Sequence, residues 1–495
     1  MVEERVDVVV IGGGGSGLAA AIEARSAGAS VVLLEKNEKL GGSTAWSVGS
    51  ITATGTPHQL RRRIQDRPEH HFEDMPLFAG ELAGRENDEL RRILCEEVPD
   101  AFRWLLRLGV RFHGPMPEPP HRQPRMHNVL PNSRSYIYHL ERHARRIGVD
   151  IRVGLRVTAL LTEAGAVVGA ACGEQARLRA RCGVVLAAGD FTNDPELKFR
   201  FLGAQQARVE GVNATATGDG QKLALALGAR IVNGDLALGP EIRFIPPNRD
   251  TLLRRLPPWR GLASAMQWAM DHVPQRLLRP FVMSFVTTAL APSPKLFEEG
   301  AVLIDREGRR FCDELVAPAL ALPDQPGKIG YILLDGRLAR LFGAWPHFIS
   351  TAPGVAYAYL PDYRRNRPDV YVQAPTLAAL ANKLGMDARV LLQTLSEDND
   401  ARGTGAAQGR RRPALCEPPF VALGPVRSVF VHNEGGLAVD RTHRVLGVDG
   451  QPISGLYAAG ATGQGGLLLK GHGHHLAWAF VSGRRAGRFA AQREL

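Results

Sequence analysis

Four short apolar runs punctuate the chain: Val8–Ile11, Ala29–Leu34, Val184–Ala188 and Leu456–Ala459. Each is continuous rather than alternating, as in strands buried on both faces of a parallel sheet, and three of them run straight into glycine. Between and after them the apolar spacing is helical. Leu18–Ala24 follows the first run, Gln221–Leu227 follows Thr217-Gly218-Asp219-Gly220, and Leu476–Ala490 closes the chain. Phe102, Leu105, Leu106 and Leu108 repeat at helical spacing, with Gly109 as the stop. The pattern also predicts helices at Tyr136–Ile147 and Leu377–Leu395, a strand at Asp150–Leu155 and a hairpin through Gly165–Gly173. A second hairpin is expected where Ala301–Asp305 and Arg310–Cys312 flank Arg306-Glu307-Gly308-Arg309. The class is α/β.

The first run adds chemistry. It feeds Gly12-x-Gly14-x-x-Gly17, and the next run ends in Glu35. Gly12 permits a tight turn, Gly14 lets the backbone approach a pyrophosphate, and Gly17 lets the following helix pack on the strand. Gly15 and Ser16 begin that helix, whose N-terminal N–H groups face an anion. An acid about twenty residues on accepts ribose hydroxyls and disfavours a 2′-phosphate.

Composition narrows the picture. The 495 residues are enough for two or three domains, and 44% hydrophobic with 22% charged content is that of a globular protein. The net charge of +11 comes from arginines scattered along the chain, without a dense basic run interleaved with aromatics, so nucleic acid is not an expected partner. Cys95, Cys172, Cys182, Cys312 and Cys416 lack the spacing for haem attachment, an iron–sulfur cluster or a zinc knuckle, and no metal is expected. The first strand starts almost at once, leaving no room for a signal peptide, and Pro280–Pro294 is too short to span a bilayer. A cytoplasmic protein is expected. After Leu236 the composition shifts: residues 241–295 are rich in Pro, Arg, Trp, Met and Phe. They read as helices of a second domain's core, or as an apolar flap that touches a membrane surface transiently. Pro115–Pro131 is a proline-rich loop carrying His121, Arg122, Arg125 and His127, at the surface or as a cavity wall, and Ala401–Pro413 is a polar, mobile loop.

In chain order, IGGGGSGLAAA, GGSTAWSVGS, AAGDF, TGDG, IDREGRRFCDE, NEGGLAVD and GLYAAGATG resemble the fumarate reductase/succinate dehydrogenase flavoprotein superfamily, including its 3-ketosteroid Δ1-dehydrogenase branch. The resemblance runs nearly end to end. It implies a Rossmann-type FAD-binding domain in two parts, residues 1–235 and 425–495, with an α+β substrate-capping domain inserted at 236–424. It implies FAD held by Gly12, Gly14, Gly15, Ser16, Gly17, Glu35, Lys36, Gly41, Gly42, Ser43, Thr44, Val157, Ala188, Gly189, Asp219, Gly460, His475 and Leu476. Members that attach flavin covalently use a histidine just after the Gly-Gly pair; Ser43 stands there, so non-covalent FAD is expected.

The inherited acid is missing. The family places an arginine or a tyrosine four residues after the glutamate of its RF-x-x-E motif, and counting from Glu314 lands on Pro318. The remaining catalytic candidates are His432, Lys470, His472, Gly473, His474 and Tyr138. Lys470 stands near a carboxylate-gripping arginine of the dicarboxylate reductases, and faces either a carboxylate or the flavin N1–C2=O. Gly473 matches a glycine whose N–H binds a ketone oxygen, with Leu469 in place of the accompanying tyrosine. His432 survives from a histidine motif as a carbonyl-polarising group. The resemblance therefore implies an FAD-dependent oxidoreductase acting on a CH–CH bond. Its expected reaction is desaturation of a cyclic or apolar ketone, or of a keto acid, next to the carbonyl. Reduction of an enoate or enone by an external donor is the alternative, and an FAD-holding electron-transfer subunit is the reading from another class.

Overall fold

A computed structural model describes residues 3–247, 252–274, 290–352, 356–403 and 412–492, together with 277, 279, 283 and 286–288. The elements that place the site are, in chain order, β1 (Glu3–Ile11), α1 (Gly15–Ser26), β2 (Val31–Leu34), β3 (Ser50–Thr52), α2 (Pro68–Ala79), α3 (Asp88–Leu108), β4 (Arg111–Met116), β5 (Met126–Leu130), α4 (Arg134–Arg146), β6 (Asp150–Arg152) and β7 (Ala176–Leu186). There follow α5 (Asp219–Leu225), β8 (Ala237–Leu238), β9 (Glu241–Phe244), α6 (Arg260–His272), β10 (Val302–Ile304), β11 (Gly330–Leu334), β12 (Phe420–Phe430), β13 (His432–Asn433), β14 (Arg444–Leu446), β15 (Pro452–Ala458) and α7 (His474–Ala491).

The main sheet runs β14-β15-β7-β1-β2-β6, extended from β7 by a hairpin at residues 159–172. β1 is parallel to both β2 and β7, and β15 is parallel to β7. The chain thus leaves β1 toward one edge and returns to its other side. In an open parallel sheet that reversal leaves a crevice at the strands' carboxyl ends, where Gly12 and Ala187 lie.

Two hydrophobic cores form. One gathers Val8, Val10, Leu18, Leu33, Phe102, Tyr136, Val184 and Trp478 around this sheet. The other gathers Leu303, Ile332, Phe342, Tyr363, Leu391 and Leu423, all between residues 242 and 426, around a second sheet whose spine is β12. Two-residue pairings such as β8 with β13 link the parts. Among the described residues no helix is long and apolar enough to cross a membrane.

Several expectations shift. The α3 helix starts at Asp88 because the Asn87 side chain accepts from Leu90 N–H, and it stops at left-handed Gly109. The proline-rich loop folds in: Met126–Leu130 pairs with both β3 and β4, burying Arg125 and His127 as a wall. The 301–312 hairpin does not form as a ladder. β10 pairs instead with β11, and only an isolated Ile304–Arg310 bridge remains, because the Asp305 carboxylate accepts the N–H groups of Glu307 and Arg309 and tightens the turn. The α6 helix is not part of the second core. It buries only Ala263 and lies along β4, where Gln267 meets His58 and Asp271 faces Arg62, leaving Trp259 and Trp268 exposed. The strand expected to Leu155 ends at Arg152. Most of the polar loop at 401–413 lies outside the described residues.

The α1 and α7 helices touch backbone to backbone. A Cβ on Gly483 would strike the Ser16 carbonyl, and one on Gly487 the Ala20 carbonyl. Gly487→Val is therefore expected to force the two helices apart, at a cost of about 2–3 kcal/mol. Thermal unfolding followed by circular dichroism would show a midpoint lower by about 2–3 °C. An unchanged midpoint would mean that this contact is not close.

Candidate active site

The first half of the site is a backbone cradle. A Cβ on Gly17 would overlap the Gly12 carbonyl, and one on Gly12 (φ +111°) would strike Ala187, so both positions need glycine. Gly14 differs: a Cβ there would meet only the Gly41 carbonyl, at 3.8 Å, and at Gly189 it would meet nothing within 4 Å. The strand end, Gly14, Gly41, Gly42 and the start of α1 thus leave a channel for a diphosphate, which suits FAD. Thr44 Oγ1 accepts from Gly15 N–H (3.1 Å), and Ser16 abuts Gly460, which donates its N–H to Ser482 Oγ (2.8 Å).

Glu35 is buried, and its carboxylate accepts from Gly13 N–H (2.7 Å) and from the backbone and side chain of Asn37 (2.8 and 2.7 Å). Those donors orient it beside the turn. Lys36 and Asp219 pair with each other instead of standing free. The ammonium donates to Asp219 (3.1 Å) and Thr217 (2.6 Å), while Arg156 takes the other Asp219 oxygen (2.7 Å). Val157 is buried next to Arg156, and the exposed Ser43 accepts from Asn213 (3.0 Å).

The second half is the loop from Gly460 to the start of α7. Glu434, which sequence reasoning missed, braces it. One carboxylate oxygen accepts from Gln464 (2.5 Å) and from Leu469 N–H (3.0 Å). The other lies 3.6 Å from His432 Nε2 and 3.9 Å from His475 Nε2, and the two imidazole rings are 3.8 Å apart. The neighbouring imidazoles hold Glu434 ionised despite burial, whereas burial pushes His432 below its ordinary value and keeps it neutral. From the other side Asn87 and Glu86 tie down Gly465, Gly466 and Leu468. Lys470 emerges from this braced loop with no ion-pair partner for its ammonium among the described residues.

His472 and Gly473 follow. Gly473 (φ +91°) caps α7 and packs against Thr52 and Ile51 so closely that a Cβ would collide with them. His472 is held by Glu118, a second missed residue: Oε1 accepts from both its backbone N–H (2.8 Å) and its Nδ1 (2.5 Å). That contact raises the imidazole above its ordinary value. Two other candidates are not brought to the cleft. His474 is fully buried, with Nδ1 donating to the Lys470 carbonyl (2.6 Å) and Nε2 facing His71 (3.2 Å). Tyr138 lies half-buried on α4 between buried neighbours, with its ring edge-on to His139. Glu314 is structural, taking Arg310, Arg412 and Leu303 N–H, and Pro318 opens a short helix.

Under the loop lies a buried polar cluster. Arg125 is fully buried, bidentate to Asp66 (2.7 and 2.7 Å), and donates to Asp74 (2.5 Å) and His121 Nδ1 (2.8 Å). The nitrogens of His71, His121 and His474 lie within 4.8 Å of one another, as do those of His432 and His475 with Glu434. Neither group suits a metal. Arg125 donates to His121 Nδ1, leaving the proton on the nitrogen that would have to ligate. The second group includes His475 in the first turn of α7, the positive end of that helix, which disfavours a cation.

Glu434 had a signal in sequence, an acid set in an otherwise glycine-rich segment. Glu118 and His71 had none, because neither belongs to a periodic pattern that fixes what it faces.

A family model described as an FAD binding domain matches residues 7–251 and 265–468, and the chain belongs to that family. It is an FAD-dependent oxidoreductase acting on CH–CH bonds. The probable fumarate reductase Ifc3 of Shewanella frigidimarina is 27% identical over 99% of this chain and 76% of its own length. The open conformation of a flavocytochrome c3 fumarate reductase superposes with a TM-score of 0.71 at 26% identity, covering 99% of this chain and 78% of that one. A 3-ketosteroid delta1-dehydrogenase from Sterolibacterium denitrificans, 19% identical with a TM-score of 0.64 and 99% of each chain covered, shares the fold.

Replacing Arg125 with Met would leave two buried carboxylates facing each other. The expected loss is about 3–5 kcal/mol, measured by urea unfolding. Acid acts on the same region. Burial depresses His58 and His474 to about 4, His127 and His443 to about 3, and His121 to about 2. An unfolded chain binds these protons near pH 6.5, so each neutral ring adds stability above that pH. As pH falls from about 6.5 toward 4, each costs about 1.4 kcal/mol per unit. A steep decline of the unfolding midpoint across that window is expected; a flat profile would show the rings protonated in the native state.

Proposed function

We propose that this enzyme reduces a carbon–carbon double bond conjugated to a carboxylate or carbonyl, with the substrate held between the 460–475 loop and the capping unit. The observation that carries the reading is Lys470, whose ammonium has no ion-pair partner among the described residues and projects from a braced loop. A cation, a neighbouring imidazole and the first N–H groups of α7 together suit an oxygen on which negative charge builds up. Lys470 holds that oxygen, the Gly473 N–H is a further donor, and His432, whose Nε2 faces Glu434, lines the site beside them. FAD, bound along Gly12–Gly17 and Gly41–Gly42, supplies hydride exchange with the neighbouring carbon. The two cores support residues 1–235 and 425–495 as the FAD-binding part and 236–424 as the cap. Ser43, in place of a histidine, supports non-covalent binding.

The same site run backwards desaturates a ketone. Pro318, where the dicarboxylate enzymes carry arginine, and the buried Leu467, Leu468 and Leu469 favour that second reading for an apolar substrate. The electron donor is an external small molecule or protein. The exposed Trp259 and Trp268 support transient contact of the α6 face with a membrane surface.

Anaerobic mixing separates the two directions. Dithionite-reduced protein is expected to be reoxidised by fumarate, crotonate or urocanate, while oxidised protein keeps its visible flavin band with saturated cyclic ketones. Lys470→Met is expected to raise KM by about tenfold or more, a loss near 1.4 kcal/mol of oxygen binding. Bleaching by the ketones, with no reoxidation by the acids, would move the assignment to desaturation.

A further inference from the structure

The reduction needs a proton at the carbon next to the one that gains hydride, and the position from which the family supplies it is Pro318. We infer that His472, oriented by Glu118, is the proton donor of this enzyme. The inference rests on the reductase reading above.

Glu118 comes from the proline-rich loop and reaches across to the start of α7. Its Oε1 accepts from both His472 N–H and Nδ1, which keeps one proton on Nδ1 and leaves Nε2 as the nitrogen that takes up and gives away the second proton of the imidazolium. The Thr52 hydroxyl donates to the His472 carbonyl (2.5 Å), so the backbone is held from the β3 side as well. The side chain is 53% exposed, the only histidine of the 472–475 group that opens outward to this degree. Charged groups face it from two directions. Glu118 lies on one side, while Glu241 and Arg243 of cap strand β9 lie on the other, paired with each other at 2.8 Å. His472 therefore stands in the seam between the cap and the FAD-binding part, two residues from Lys470. Glu118 keeps the ring above its ordinary value, the state that an acid requires at neutral pH. Glu118 itself touches no reacting atom in this scheme; it is a positioning residue.

The step balances. The β carbon of the unsaturated acid gains a hydride, carrying both electrons, from the reduced cofactor. The α carbon gains the proton of His472 Nε2, and the C=C π bond is lost. Solvent reprotonates the imidazole, and an external two-electron reductant restores the cofactor.

The test uses FAD-loaded wild type, His472→Gln and Glu118→Gln. NMR titration of the His472 ring is expected to give a lower value in Glu118→Gln than in wild type. Anaerobic reoxidation of the reduced protein by crotonate is expected to slow by about 10²–10³-fold in His472→Gln, with FAD content and crotonate affinity retained. In Glu118→Gln the plateau of the rate is expected to end at lower pH, its falling alkaline limb moving with the ring. Reoxidation of His472→Gln at the wild-type rate, or a ring whose titration ignores Glu118, would overturn the inference. If wild type itself is not reoxidised by fumarate, crotonate or urocanate, the reductase reading fails, and this inference fails with it.

Discussion

The closeness of α1 to α7 is the constraint on which the rest depends. Gly483 and Gly487 let the last helix lie on the first with backbone against backbone, and Gly17 lets the first lie on the turn that begins at Gly12. The nucleotide turn and the loop bearing Lys470 and His472 come from opposite ends of the chain, yet they share this one rigid contact. A shift of either helix by a methyl group's width would be transmitted directly to the distance between the cradle and the catalytic loop.

Charge buried around that contact does the positioning. Glu434 and Glu118 each hold a loop segment and an imidazole at once, so a single carboxylate fixes both the backbone and the orientation of the reactive ring. Glu434 is held through both oxygens, whereas Glu118 grips the His472 backbone and ring through Oε1 alone. Arg125 does the same for Asp66 and Asp74 underneath. The two imidazoles that matter are shifted in opposite directions. Desolvation lowers the half-buried His432 below its ordinary value, and the Glu118 contact raises the open His472 above it.

The strands, the glycine turn and the closing helix were legible because each leaves a local imprint: a continuous apolar run, a glycine where a side chain would collide, a 3.6-residue period. Lys470, His432 and the histidines after it could be singled out from motifs. Their roles could not be separated. His474 looks as available as His472 in the sequence, and only the φ of Gly473 and the burial beneath α7 turn one ring inward to His71 and the other out to the cap. Tyr138 and Tyr136 likewise differ only by helical phase: Tyr136 is buried with its hydroxyl on the Gly49 carbonyl, while Tyr138 faces away.

By itself, then, the sequence determined the dinucleotide turn at Gly12–Gly17, the order of strands and helices, and the loss of the inherited acid at Pro318. Those are properties of neighbouring residues, set by sterics and periodicity within a few positions. The tertiary structure decided that Glu118 meets His472 across more than three hundred residues, that Glu434 lies between two imidazoles, and that Lys36 pairs with Asp219. The strength of such contacts depends on burial and on what lies opposite, and neither is recorded in local order.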